Sequence, residues 1–171
     1  MTDRSQDPFI YGYLASPVGQ LLVAGDGDHV RLIGFPSGNQ VELLQDDWRR
    51  DDGHFADAFA QLNAYFAKEL TEFDFAIRFD GTPFQNQVWS ALCEIPYGAT
   101  KSYGDIAVAI GNPGASRAVG MANNANPLPI VVPCHRVIGA DASLIGFGGG
   151  VETKQFLLDL ENAGDWQPRL L

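Results

Sequence analysis

A chain of 171 residues, 46% of them hydrophobic, is long enough for one large domain or two small ones with their own cores. No apolar run approaches the ~20 residues a membrane crossing needs. The polar, acidic start Met1–Pro8 lacks a signal-peptide core, and the two cysteines, Cys93 and Cys134, make neither a disulfide framework nor a zinc site. A cytoplasmic protein without metal, cofactor or membrane partner is expected.

The net charge of −10 speaks against nucleic acid, whose phosphates are neutralised by Lys and Arg. The charge is unevenly placed. Residues 1–81 carry −8 and residues 82–171 carry −2, while within 82–140 Lys101, Arg117 and Arg136 outnumber Glu94 and Asp105. A DNA-facing surface therefore belongs to the second half. The acid excess of the first half serves solubility.

The chain opens as β structure. Phe9–Leu14, Gln20–Ala24 and Val30–Phe35 are short apolar runs, separated by Ser16-Pro17 and by Gly25–Asp28. Turn chemistry between such runs predicts a three-stranded antiparallel meander. From His54 to Leu70, Phe55, Ala58, Phe59, Leu62, Tyr65 and Phe66 recur with helical period, which predicts an amphipathic helix on that sheet. Phe73–Phe79 alternates apolar and polar residues and reads as a returning strand. These elements make up an α/β domain over residues 1–81.

At Thr82-Pro83 the character changes, with an N-cap followed by proline at the first helical position. Phe84, Val88, Trp89, Leu92 and Ile95 give this helix one apolar side, and Pro96-Tyr97-Gly98 stops it. Ser102 caps a short helix that turns Tyr103, Ile106, Ala107 and Ile110 inward. After the turn Gly111–Gly114, Ala115–Ala125 forms another helix, with Ala115, Ala118, Val119 and Ala122 on one stripe. Two short helices about a tight turn are the helix-turn-helix arrangement. Asn126-Pro127 ends the pair, and Pro129–Pro133 reads as an extended segment delivering Cys134. Gly146–Gly150 is a loop, and Val151–Ala163 a last helix burying Phe156, Leu157 and Leu160.

Cys134 beside His135 is the main chemical signal. A thiolate is a nucleophile that a base activates and a third group orients. Glu161 supplies that third group if the last helix packs back beneath the site. Taken singly the residues have plainer readings: Cys134 as a small core residue, His135 as its polar neighbour, Tyr103 as a core-edge ring, Arg117 and Glu161 as surface charges, and Asn126 as a C-cap.

Their order narrows the choice. Pro133-Cys134-His135-Arg136-Val137, preceded by Asn126–Val132, resembles the active-site signature of the O6-alkylguanine-DNA alkyltransferases, or methylated-DNA–protein-cysteine methyltransferases. Phe84–Trp89, Ser102–Ile106, Ser116–Gly120 and Leu157–Glu161 follow that family's pattern in the same order. The resemblance is close over residues 80–163 and looser over the first half. It implies an α+β fold with a ribonuclease-H-like antiparallel sheet and helix, then a mostly helical domain over 82–171.

The resemblance also implies roles. Cys134 is the alkyl acceptor, His135 its water-linked base and Glu161 the carboxylate orienting that base. Asn126 braces the hinge between DNA-binding helix and active-site segment. Tyr103 helps rotate the nucleotide and offers its hydroxyl to guanine N3, and Arg117 fills the gap left in the duplex. Ser116, Ala118 and Gly120 lie on the helix that enters the minor groove, with Lys101 and Arg136 as further cations. Pro129, Val137, Phe147 and Gly148 line the base pocket, and the carbonyls of Cys134 and Val137 accept from the exocyclic amine. The implied partner is double-stranded DNA carrying O6-alkylguanine, met by a monomer.

Three departures stand out: Phe147 where some relatives have tyrosine, Gly148 where some have serine, and no basic residue just before Asn126-Pro127. The intact cysteine separates the chain from non-catalytic lesion-binding relatives, and no extra module marks it as a regulator.

Overall fold

The computed structural model describes residues 8–36, 44–141 and 149–161. The chain divides into two compact units at Phe79/Asp80. Among the described residues no helix is long and apolar enough to cross a membrane.

The first unit contains the expected meander: β1 (Ile10–Ser16), β2 (Gly19–Gly25) and β3 (Val30–Gly34), antiparallel in sequence. Gly19 takes φ +102° in the β1–β2 turn, where Ser16 Oγ donates to its carbonyl at 2.6 Å. Leu21–Ala24 of β2 are wholly buried, as a central strand requires. One strand is unanticipated. β4 (Arg49–Arg50) runs parallel to β1 and makes the sheet order β3-β2-β1-β4. The long predicted helix is a short 3₁₀ turn, Asp52–Phe55, leading into α1 (Ala56–Phe66). Phe73–Phe79 is not a full returning strand. It touches the sheet at a single bridge, Val30 with Ile77, through Val30 N–H to Ala76 O (2.9 Å) and Arg78 N–H to Val30 O (3.1 Å). Its alternation is still real, with Phe73, Phe75, Ile77 and Phe79 turned inward and their neighbours exposed.

In the second unit, α2 (Pro83–Cys93) starts with a capping box between Thr82 and Gln85 and buries Val88, Trp89 and Leu92. β5 (Lys101–Ser102) leads into α3 (Tyr103–Ala109), which a Ser102–Asp105 capping box opens. A turn through Gly111 (φ +77°) precedes α4 (Ser116–Asn124). Trp89 Nε1 donates to Ala122 O at 2.8 Å and ties α2 to the last turn of α4. β6 (Val137–Ile138) pairs in parallel with β5, so the segment after Cys134 is pinned beside the start of α3. α5 (Val151–Leu160) closes the unit.

Several expectations need correcting. Pro129–Pro133 is folded rather than extended: Val132 N–H reaches Leu128 O at 2.8 Å, and Ile130 sits at φ +75°. That region is unfavourable for a β-branched residue, and Asn126 holds the loop there. Its Oδ1 accepts from Leu128 N–H at 2.9 Å and its Nδ2 donates to Val132 O at 2.8 Å. Ala118 is exposed rather than part of the buried stripe of α4. On α5, Phe156 is exposed while Leu158 is buried beside Leu157.

Candidate active site

Cys134 opens a 3₁₀ turn, Cys134–Arg136, whose three side chains are all buried. The turn is closed by Arg136 N–H to Pro133 O at 3.0 Å, and Cys134 N–H donates to Val132 O at 2.8 Å. Asn123, at the buried side of α4, directs Nδ2 toward Cys134 O at 3.4 Å. Burial pushes the Cys134 thiol up to about 11, against a hydrogen bond from Asn126 and the charge of Lys154. At rest the group is a thiol.

Its neighbour supplies a base. His135 is wholly buried, and its Nε2 lies 2.7 Å from Glu161 Oε2. Glu161 caps the C-terminal end of α5 and is 2% exposed. Burial alone would raise its carboxyl, but the hydrogen bonds and charges of His135 and Arg136 outweigh that and hold it at about 2. An ionised carboxylate only accepts, so the proton lies on Nε2 and the lone pair on Nδ1. No described residue hydrogen-bonds Nδ1. Burial lowers the imidazole, against the pull of Glu161, and keeps it neutral at neutral pH. The result is a neutral, oriented base adjacent in sequence to the thiol.

Arg136 is not the DNA-facing cation the sequence suggests. It is 6% exposed, with Nε 2.7 Å from Glu161 Oε1, Nη2 3.1 Å from Oε2 and Nη1 2.7 Å from Ile95 O. Its guanidinium also stands over the Tyr97 ring at 5.8 Å. The planar guanidinium fork matches the two oxygens of a carboxylate, and here that carboxylate is buried. Lys101 and Arg117 remain exposed, as does Ala118, while Ser116 and Gly120 are half-buried.

Tyr103 is half-buried at the start of α3, facing Gly120 of α4. Burial, and then Cys134, push its hydroxyl up to about 12, so it remains a donor. Pro129 and Val137 are buried, whereas Phe147 and Gly148 fall outside the described residues. The structure thus gathers the buried Cys134, His135, Glu161 and Val137, with the half-buried Asn126 beside them and Tyr103 within electrostatic reach of the cysteine.

Two residues in this cluster went unread in the sequence. Asn123 resembles any polar position of a short helix. Lys154 resembles a solvated helix cation, yet it is wholly buried and donates from Nζ to Val137 O at 2.5 Å. Its seven-residue spacing from Glu161, two turns on the same face, is the one sequence signal of its position.

Comparison with known proteins identifies the family. Residues 83–163 match the DNA binding domain of 6-O-methylguanine DNA methyltransferase, and residues 9–79 match that family's ribonuclease-like domain. The chain is 50% identical over 153 residues to the methylated-DNA–protein-cysteine methyltransferase of Methanosarcina acetivorans, covering 90% of this chain and 98% of that one. It is 51% identical over 156 residues to the protein of the same name from Mycobacterium tuberculosis, covering 90% and 92%. The crystal structure of Mycobacterium tuberculosis OGT in complex with DNA superposes with a TM-score of 0.84 at 50% identity, over 90% of this chain and 92% of that one. The O6-methylguanine-DNA methyltransferase of Pyrococcus kodakaraensis gives 0.67 at 25% identity, over 90% and 98%.

Proposed function

Because the chain belongs to the 6-O-methylguanine DNA methyltransferase family, we propose that it repairs alkylated DNA by moving the alkyl group from guanine O6 onto its own Cys134. One observation carries the assignment of the acceptor: a buried thiol followed directly by a neutral imidazole that a buried, ionised glutamate orients at 2.7 Å.

Guanine O6 lies inside the duplex, so the nucleotide must leave the stack to meet a buried sulfur. Unstacking costs a few kcal/mol, which an inserted side chain and phosphate contacts offset. Arg117 is the exposed side chain at the start of α4 for that insertion, and Lys101 is a phosphate contact. Tyr103, kept protonated, donates to guanine N3.

In the pocket His135 Nδ1 receives the thiol proton. The sulfur lone pair attacks the alkyl carbon and forms the C–S bond as the C–O6 bond breaks, its electron pair passing to the purine. The proton on His135 then restores N1–H of guanine. The product is a thioether with no bond that water opens, so each molecule acts once. A thymine alkylated at O4 presents the same electrophile and is a second substrate. The protein acts as a cytoplasmic monomer on double-stranded DNA.

The test is intact-mass measurement after incubation with duplex DNA containing O6-methylguanine. The mass should rise by one methyl group per molecule, mapped to Cys134, and the reaction should stop there. Continued turnover, or a methyl mapped to Cys93, would overturn the assignment.

The role of Arg117 makes a separate prediction. Arg117→Ala should slow repair of duplex DNA by about 10-fold or more, since each 1.4 kcal/mol of lost compensation is tenfold. Reaction with free O6-benzylguanine, which is already unstacked, should hardly change. Equal losses on both substrates would place Arg117 in the fold or the pocket instead.

A further inference from the structure

Four large hydrophobic side chains stand exposed among the described residues: Val108, Met121, Val151 and Phe156. Single exposed apolar residues are ordinary on a protein surface. Met121 is set apart by its place. It is 76% exposed, the highest of the four, and it belongs to α4, the second helix of the helix-turn-helix pair. Apart from Met1 it is the sole methionine of the chain.

α4 has two faces. Val119, Ala122 and Asn123 are buried, and Trp89 Nε1 holds Ala122 O from behind. Arg117, Ala118, Met121 and Asn124 are exposed. Residues three and four apart are neighbours on a helix surface, so Arg117, Met121 and Asn124 form one outward row, and Arg117 is the only charged residue of the helix. Gly120, directly before Met121, lies beside Tyr103: a Cβ there would stand 3.8 Å from the ring. The helix thus brings Met121 next to the nucleotide-rotating tyrosine as well as to Arg117. A row with one cation neutralises few phosphates, and its hold on a duplex has to come from other contacts. Minor-groove proteins make such contacts with apolar wedges, methionine among them, and an unbranched thioether fills irregular gaps well. At 1.5 Å per residue Met121 stands about 6 Å past Arg117 along the helix axis, less than two base-pair steps of about 3.4 Å. The two side chains therefore address neighbouring steps of one site.

We propose that Met121, one turn past Arg117 on the exposed face of α4, is an apolar wedge against the minor groove beside the extruded nucleotide and sets how firmly this low-charge face holds a duplex. The inference rests on the reading of the chain as a DNA-repair protein and adds a contact to it. Met121 is a positioning residue: it braces the DNA while Arg117 fills the gap, and it takes no part in the transfer to sulfur.

The experiment compares wild type, Met121→Ala and Met121→Leu for binding to a short undamaged duplex by fluorescence anisotropy at several salt concentrations. Met121→Ala should weaken binding about 5- to 30-fold, the loss expected for one apolar side chain withdrawn from a contact. An apolar contact releases no counterions, so the slope of log K against log salt should not change. Met121→Leu, still large and apolar, should stay near wild type. Repair of duplex O6-methylguanine at limiting protein should fall with Met121→Ala, while reaction with free O6-benzylguanine should be unaltered. Unchanged duplex binding, an altered salt slope, or an equal loss on the free base would each overturn the wedge.

A second measurement needs no variant. Dilute hydrogen peroxide converts an exposed methionine to its sulfoxide, and peptide mapping assigns the added oxygen to Met121, because Met1 is the one other methionine. Saturating undamaged duplex should protect Met121 in the wild-type chain, and Met121 oxidised as readily with the duplex as without it would refute the contact. Methyl transfer from O6-methylguanine DNA to Cys134, run in parallel, separates the two readings. Normal transfer with Met121 unprotected overturns the wedge alone, whereas a chain that neither transfers nor binds overturns the repair reading with it.

Discussion

A Cys134→Ala protein is expected to leave O6-methylguanine in duplex DNA untouched over times in which the wild-type chain reacts to completion. The thiolate is the nucleophile, and in this chain one other sulfur of that type exists, Cys93. Cys93 ends α2 on the exposed side, where partial burial and then the neighbouring Glu94 push its thiol up. It also lies outside the turn that places Cys134 next to His135. The protein mass should therefore stay unchanged and the methylated base should be recovered whole on nucleoside analysis. DNA binding should survive, because Lys101, Arg117 and α4 are not altered. A residual methyl on any other side chain would mean that the site activates a different acceptor.

Legibility of the sequence followed the range of the interactions. The Thr82-Pro83 start with Gln85, and Ser102 with Asp105, are contacts within four residues, and both helices begin where those residues place them. β4 had no such signal. Arg49-Arg50 is an exposed charged pair whose strand character comes from Arg49 N–H to Phe9 O and Asp51 N–H to Tyr11 O, contacts some 40 residues away in sequence. The alternation in Phe73–Phe79 reported which side chains face inward, and side-chain alternation says nothing about how many backbone rungs form.

The candidate site divides in the same way. Cys134, His135 and Glu161 were readable because they stand in ordered blocks that resemble a known family. The loop before them was misread because proline and branched residues favour extension, whereas two hydrogen bonds between the Asn126 side chain and the backbone of Leu128 and Val132 fold it instead. Arg136 and Lys154 were misjudged or missed for a common reason. A cation in a sequence is normally solvated, and only the packing of α5 shows that one meets Glu161 and the other the Val137 carbonyl.

That packing makes Glu161→Gln a strongly destabilising change despite its conserved shape. Glutamine keeps the shape but leaves the Arg136 guanidinium buried without its counter-charge, and breaking a buried pair in this way costs about 3–5 kcal/mol. The amide also accepts at only one of two atoms, so His135 loses the oriented acceptor that fixes its tautomer. Transfer should slow even where the variant is folded. The sign of the pH dependence follows from the carboxyl. Its folded value of about 2 lies below the ordinary 4.5, so its stabilisation is fully present above about pH 4.5 and is lost as pH falls toward 2. That window is worth about 3 kcal/mol at 1.36 kcal/mol per pH unit. The lowered imidazole of His135 acts in the same direction, since it too favours the fold only above its unfolded titration. Denaturant unfolding at several pH values should therefore show wild type and Glu161→Gln well separated at pH 7 and converging as pH approaches 2. A gap that stays constant across the range would mean the loss comes from packing of the side chain and not from its charge.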